Sequence, residues 1–333
     1  MKLLVTGGLG FIGTNFIRYW FKHHPDDTIV NLDKVTYAAN PANLSEFEGK
    51  SNYKFVKGDI CDKNLVAEIV KDIDLIIHFA AETHVDRSLD EPELFLQTNI
   101  LGTYNLLNFA SQHNIRFHHI STDEVFGALE LNTENKFTES TTYDPRSPYS
   151  SSKAASDHLV RSFYHSFNLP ITISNCSNNY GPYQSPEKFL PRMITNLLTD
   201  QKVKVYGDGL NVRDWLHVLD HCRAIEAIIQ KGKIGETYVI GGLTKDINNL
   251  ELTKTVLDLM GKGEDQIEFV TDRPGHDRRY AVNWEKIKNE LGWTPQYSFE
   301  EGIKATVDWY TQNSDWWQAS KSEAEDFYKK IGR

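Results

Sequence analysis

The opening stretch KLLVTGGLGFIG confines the fold more tightly than anything else in these 333 residues. It reads as a short buried strand, a glycine turn and the start of a helix running to about His24. Gly7, Gly10 and Gly13 carry a spacing with three separate uses. The first glycine permits the tight turn, the second lets backbone approach a pyrophosphate, and the third lets the helix pack closely on the sheet. Such spacing also occurs in purely structural turns, so the context matters. A carboxylate, Asp33, ends the next strand, DTIVNLD, twenty residues after Gly13. An acid there hydrogen-bonds the adenosine ribose and repels a 2′-phosphate, so NAD is expected rather than NADP. Lys34 beside it is a mild counter-signal. Asp59 in GDI either accepts from the adenine amine or is an ordinary turn aspartate.

Strands continue to alternate with helices. NYKFVKGD, DLIIHFAAE, IRFHHIST and LPITISNCS read as strands, with helices near Asn64–Lys71, Glu93–Gln112 and Tyr149–Phe167. This pattern predicts an α/β fold, a Rossmann-type doubly wound parallel sheet. Beyond about residue 177, turn signals (YGPYQSP, YGDG, DRPGH) interleave with shorter helices at Lys188–Leu198, Asp220–Gln230, Leu250–Met260 and Glu301–Thr311. We therefore expect an NAD-binding domain over 1–176 and a smaller, irregular nucleotide-sugar lobe over 177–333, with some later segments returning to the first domain. In the helix Glu93–Gln112, Leu94, Phe95, Leu96, Ile100, Leu101, Tyr104, Leu106, Leu107 and Phe109 point around much of the circumference, more than one sheet-facing side needs. Either a homodimer forms through this helix and Tyr149–Phe167, or the C-terminal lobe covers the excess.

A net charge of −10 argues against a nucleic-acid partner. No apolar run reaches the length of a membrane span, and the chain enters a strand at once, so neither a membrane anchor nor a signal peptide is expected. Cys61, Cys176 and Cys222 lie far apart, and the 12 histidines lack ligand spacing, so no metal is expected. A cytoplasmic protein follows.

Two stretches carry chemistry. In SPYSSSKAASDH, Tyr149 and Lys153 stand four apart at the start of a helix and share one face. A nearby ammonium favours the phenolate, and such a tyrosine removes a hydroxyl proton while hydride leaves for nicotinamide. In HHISTDEVFGA, Thr122, Asp123 and Glu124 follow an apolar strand. Adjacent carboxylates raise each other's pKa, which lets one hold a proton as the other stays ionised. Side chains alternate along a strand, so both reach one ligand only if the chain turns after Ser121. Capping of a turn or helix is the plain alternative for the pair.

The glycine turn, Asp33, TNILGT (Thr98–Thr103) and Tyr149-x-x-x-Lys153 resemble the extended short-chain dehydrogenase/reductase superfamily. ETHVDRS, HHISTDEVFG, SPYSSSKAASDHLV, NCSNNYGPYQSPEK, VRDWLHV and DRPGHDRRY are more narrowly similar to the nucleoside-diphosphate-glucose 4,6-dehydratases, above all those acting on dTDP-glucose. The likeness runs to about Trp309 and leaves the tail SDWWQASKSEAEDFYKK outside. It implies a lyase with tightly bound NAD. Tyr149 would take the sugar C4 hydroxyl proton beside Thr122, Glu124 would be the base at C5, and Asp123 the acid on the departing C6 hydroxyl. The cofactor set it implies adds Phe11, Ile12, Thr36, Ile60, Ala80, Ala81 and Thr98 to Gly7, Gly10, Gly13, Asp33, Lys34, Asp59, Tyr149 and Lys153. The substrate set is Thr83, His84, Arg87, Asn178, Glu187, Lys188, Arg213, Asn248, Arg273 and His276. Phe126 stands where the family has tyrosine, and Val239 where it has asparagine, the latter expected to alter contacts near the nucleotide. A UDP-glucose 4,6-dehydratase and a nucleotide-sugar 4-epimerase are the competing readings.

Overall fold

Alternation along the first strands sorts their side chains onto two faces. In β1 (Lys2–Thr6) and β2 (Thr28–Asp33), Leu4, Val30 and Leu32 enter one core while Leu3, Val5 and Ile29 enter another. The computed structural model describes residues 1–242, 245–272 and 275–331. After β1 comes α1 (Phe11–His23); β2 is followed by β3 (Tyr53–Lys57), α2 (Lys63–Ile69), β4 (Leu75–His78), α3 (Val85–Asp90) and α4 (Pro92–Phe95). A π-helical stretch, Leu96–Gly102, leads into α5 (Thr103–His113), then β5 (Arg116–Thr122), α6 (Pro148–Phe167) and β6 (Ile171–Cys176). Next are β7 (Asn178–Tyr180), α7 (Phe189–Leu198), β8 (Val203–Tyr206), β9 (Val212–Arg213), β10 (Trp215–His217) and α8 (Val218–Lys231). The remainder is β11 (Thr237–Ile240), β12 (Ile247–Asn248), α9 (Asn249–Leu259), β13 (Ile267–Val270), α10 (Glu285–Leu291), α11 (Phe299–Gln312) and α12 (Ser314–Lys330).

Seven strands form one parallel sheet in the order β11-β6-β5-β4-β1-β2-β3, the doubly wound arrangement read from the alternation. The strand order reverses between β1 and β4, where the loops after the two strands part and leave a crevice. α8 packs beside α1 on one face, and β11 extends the sheet past β6, so chain beyond residue 177 contributes to the central layer. A separate core of Leu190, Ile194, Val203, Leu252, Ile303, Tyr310 and Trp317 builds a second lobe over the strand ends.

The helix expected over 93–112 runs without interruption from Pro92 to His113, but its middle is π-helical. Asn99 donates to the Glu82 carbonyl (3.0 Å) and to Ser152 Oγ (2.8 Å) and accepts from the Glu82 amide (2.9 Å). Those bonds hold the π-helical turn against the loop after β4, a distortion that recurs at functional sites. Val239 sits wholly buried in β11 against Phe126, Tyr280 and Val282, away from the nucleotide position the sequence suggests.

Candidate active site

The glycine turn closes on backbone. Gly7 has φ +72°, and a Cβ there would lie 2.7 Å from the Ala80 backbone; one on Gly13 would lie 2.3 Å from the Gly7 carbonyl oxygen. At Gly10 the nearest atom to such a carbon is 3.4 Å away, which leaves that side open to a ligand. Gly10 also caps α1 without any side-chain bond, so the first-turn amides face the crevice. Asp33 is buried and accepts from the Leu9 amide (2.9 Å) and the Val35 amide (2.8 Å), tying the strand end to the turn. Burial pushes its carboxyl up despite those bonds. Asp59 makes the turn bond of an ordinary loop aspartate and an ion pair besides. Its Oδ1 accepts from the Cys61 amide (2.9 Å), a turn bond, and its Oδ2 pairs with Lys34 (2.8 Å).

A cleft of about 300 Å³ runs from this turn past the ends of β4 and β5. Phe11, Ile12, Thr36, Ile60, Ala80, Ala81 and Thr98 line it together with Gly7, Gly10, Gly13, Asp33, Lys34 and Asp59. Its far end is walled by Thr122, Asp123, Glu124, Tyr149 and Lys153.

The chain does turn at the end of β5. Asp123–Phe126 forms a 3-10 turn in which Thr122 Oγ1 accepts from the Glu124 amide (3.2 Å), and Gly127 completes it at φ +85°. Both carboxylates therefore border the same cleft. Asp123 is 1% exposed; Thr122 donates to its Oδ1 (3.3 Å), while Oδ2 is buried with no hydrogen-bond partner among the described residues. Its carboxyl is held well above the usual range, first by burial and then by the charges of Glu124 and Asp214. A carboxyl raised in this way holds its proton to higher pH than an ordinary aspartate.

Ser147 caps α6 in a reciprocal box with Ser150, and Pro148 follows, which fixes where Tyr149 starts the helix. Lys153 lies one turn on, buried, with Nζ donating to the Ile120 carbonyl (2.8 Å) and facing His119 Nε2 (3.4 Å). Burial brings its pKa down to about 8. The lowered phenol expected from the spacing is absent. Burial and then the Glu124 charge push Tyr149 well above its ordinary value, opposed by a hydrogen bond with Thr122.

Behind Lys153 sits a second buried carboxylate. Asp157 Oδ2 accepts from Ser121 (2.9 Å), Tyr143 (2.7 Å) and Asn175 (3.1 Å), and His119 Nε2 faces Oδ1 at 3.3 Å. Burial pushes Asp157 up, but the contact with His119, the Lys153 charge and the Tyr143 bond bring it below the usual range.

A second cleft, about 190 Å³, opens between α3 and the C-terminal lobe. Thr83, Glu124, Asn178, Gln184, Glu187 and Lys188 border both clefts, so the two meet where Glu124 stands. Lys188 Nζ donates to the Thr83 carbonyl (3.0 Å). Arg213, 6% exposed, is braced by the carbonyls of Val212 (2.7 Å) and Asp277 (3.0 Å) and lies over the Tyr280 ring. His84 and His276 also line this cleft, the latter joined to Asp272 at 2.6 Å.

The sequence matches the profile of the GDP-mannose 4,6 dehydratase family over residues 4–306. A dTDP-glucose 4,6-dehydratase of Mycobacterium tuberculosis is 49% identical over 334 residues, covering 100% of both chains. The chain belongs to the dTDP-glucose 4,6-dehydratase family. The dTDP-glucose 4,6-dehydratase of Salmonella typhimurium is 47% identical, covering 97% of this chain and 96% of its own. The one from Streptomyces venezuelae, crystallised with NAD and a dTDP ligand, superposes with a TM-score of 0.93 at 44% identity over 96% of this chain and 100% of that one. A UDP-glucuronic acid 4-epimerase from Bacillus cereus reaches 0.87 at 28% identity, covering 94% and 99%. The Mycobacterium match includes the Trp-rich tail, which the sequence reading leaves outside the resemblance.

Within this family frame, two substrate residues foreseen from sequence stand elsewhere. Asn248 caps α9, accepting from the Glu251 amide (2.8 Å), and it is Asn249 that faces the cleft. Arg87 borders neither cleft; its Nε donates to Glu187 (3.1 Å) from behind. Arg273 lies outside the described residues. Arg192, Tyr206 and Tyr328 line the second cleft and were not foreseen. Arg192 had a visible signal, a cation set among Leu190, Met193, Ile194 and Leu197 on the apolar face of α7. Tyr328 had none, because it comes from the far end of the chain.

Proposed function

We propose that this chain dehydrates dTDP-glucose to dTDP-4-keto-6-deoxyglucose, using NAD that is regenerated in each turnover. The reading rests on one observation: the buried Asp123, its carboxyl held well above the usual range, stands next to Glu124, which borders both clefts. A 4-epimerase needs no acid–base pair for C5 and C6, so the pair separates the two activities.

The first cleft fits a dinucleotide: Gly7 and Gly13 leave no room for side chains, the Gly10 side is open, and Asp33 ends β2. NAD supplies the redox chemistry at C4 and C6. Asp33 bonds the ribose, and the α1 amides hold the pyrophosphate. Thr122 and Tyr149 would hold the C4 oxygen, and Tyr149 would take its proton as the phenolate, the form that the Lys153 ammonium favours against burial and the Glu124 charge. Lys153, charged below a pKa of about 8, lends positive charge to this end of the cleft. A ketone at C4 acidifies the neighbouring C5–H; Glu124 removes that proton and Asp123 protonates the C6 hydroxyl as it leaves. In the second cleft, Arg213 and Lys188 bind the diphosphate and Asn178, Glu187 and His276 orient the rest of the nucleotide sugar.

Incubation with dTDP-glucose, and in parallel with UDP-glucose, followed by mass spectrometry tests this. Loss of one water from the thymidine compound is expected. Recovery of an epimer of unchanged mass would sink the reading.

We also propose a homodimer through the π-helical stretch with α5 and through α6, the helices near 93–112 and 149–167. Leu96 (48%), Leu101 (50%), Tyr104 (42%) and Phe167 (59%) are exposed on this face, which the C-terminal lobe does not cover. Sedimentation of a Leu101→Asp variant, expected to run as a monomer, checks it. The two-lobe division near residue 176, with α8 and β11 counted in the first lobe, is part of the same proposal. So is a cytoplasmic location, supported by three unpaired cysteines. Among the described residues no helix is long and apolar enough to cross a membrane.

A further inference from the structure

The chemistry above gives the Trp-rich tail no part, yet α12 touches both walls of the substrate cleft. Near its start, Trp316 donates to Asn43 Oδ1 (2.6 Å), and Asn43 holds the Leu9 carbonyl of the glycine turn (3.3 Å). Trp317 is buried in the core of the second lobe. Farther along, Glu325 receives both Nε (3.0 Å) and Nη2 (3.2 Å) of Arg192. Lys330 closes on Asp90 of α3 at 3.0 Å.

The last full turn bears on the cleft itself. His84 Nδ1 accepts from the Arg87 amide (3.4 Å), so its Nε2 proton points at Tyr328 Oη, 3.2 Å away. Tyr328 in turn donates to the Glu187 carbonyl (2.8 Å), and Arg192 lies 3.5 Å over its ring. Next to it, Phe327 covers the Arg87 guanidinium (4.2 Å) opposite Tyr37 (3.8 Å), and Arg87 holds the Glu187 carboxylate. One turn of helix thus joins His84 and Arg87 of the first lobe to Glu187 and Arg192 of the second, and Glu187 borders both clefts.

We propose that α12 is a strap that sets the spacing of the nucleotide-sugar cleft, with Tyr328 a positioning residue for the nucleoside-diphosphate half of the substrate. This rests on the dehydratase reading. The ring is fixed by bonds on both sides of its hydroxyl, and loss of those bonds lets the cleft walls separate without touching Thr122, Asp123, Glu124 or Tyr149. The consequence falls on substrate binding and not on the chemical steps.

Tyr328→Phe keeps the ring over Arg192 and removes both hydroxyl bonds. In the full-length NAD-loaded protein, KM for dTDP-glucose is expected to rise about tenfold with kcat held within about twofold. Calorimetric affinity for dTDP should fall in parallel while NAD content stays unchanged. Lys329→Ala, an exposed neighbour on the same helix, serves as the control. Unchanged KM and dTDP affinity in Tyr328→Phe overturn the strap. A fall in kcat alone does so as well. Should that variant fail to fold, Phe327→Leu, which loosens the same joint from the outer side of Arg87, must raise KM, and wild-type behaviour there is equally fatal. Failure of the wild-type protein to bind dTDP or dehydrate dTDP-glucose would instead remove the underlying reading.

Discussion

Asp123 and Asp157 are both buried beside β5, yet their carboxyls are driven in opposite directions. The difference lies in their company. Asp157 collects three hydrogen bonds on one oxygen and faces His119 and the Lys153 charge. Asp123 has one weak donor, Thr122, an Oδ2 unpartnered among the described residues, and two further carboxylates nearby in Glu124 and Asp214. Equal burial thus leaves a carboxyl below the usual range in one place and one well above it in the other. Depth decides only that the answer will be extreme; donors and neighbouring charges decide its sign.

The comparison breaks most visibly in catalysis. Asp123→Asn cannot supply a proton, and Glu124→Gln cannot remove one. Each should cut turnover by about 10²–10⁴-fold, with C4 oxidation still seen as a transient nicotinamide absorbance in Glu124→Gln. Full turnover by either variant removes that residue from the mechanism.

Asp157→Asn tests the other side. It removes the charge that supports the buried Lys153 ammonium and weakens a carboxylate acceptor of three buried hydrogen bonds, so urea unfolding at neutral pH should show a loss of about 1–3 kcal/mol. Lys153 should also lose its charge at a pH below the value of about 8 it now has, moving the alkaline limb of the activity profile toward acid. An unmoved limb would show that Asp157 does not control Lys153.

A milder change, Tyr143→Phe, deletes one of the three donors to Asp157 and should cost about 1–2 kcal/mol by the same measurement. The smallest effect concerns stability against pH. Asp157 has a folded value below its unfolded one, so its contribution is present above the ordinary carboxylate range and disappears as pH falls through the folded value. Asp123 has the reverse order, so its contribution turns unfavourable as pH rises from the unfolded value toward the folded one. Asp123→Asn should therefore match or exceed the wild-type stability at pH 8 and gain nothing at pH 3.5, as read by thermal unfolding at the two pH values.

The cofactor half was legible because its parts are local. A glycine turn, the acid ending the next strand, and a Tyr–Lys pair one helical turn apart each announce themselves within a few residues. Asp123 and Glu124 stand out for the same reason, whereas the turn that brings both to one cleft is in the sequence only a condition, which the structure meets. The substrate half is assembled from distant segments, and there sequence succeeded unevenly. Arg213 and Glu187 line the cleft as foreseen, whereas Asn248 is claimed by a helix cap and Arg87 by Glu187. Spacing shows Lys153 one turn from Tyr149 but neither the burial nor the Glu124 charge that push the phenol up. Nothing along the chain announces that His119 and Asp157, 38 residues apart, meet at 3.3 Å.

The ion pair between Lys34 and Asp59 fastens the loop after β2 to the loop after β3 at the cofactor rim. A ribose bearing an extra phosphate would meet a cation already engaged, next to the Asp33 carboxylate. Conversion of this protein to NADP use accordingly demands two changes at once, the removal of Asp33 and the release of Lys34 by substitution of Asp59, since either alone leaves an anion facing the added phosphate.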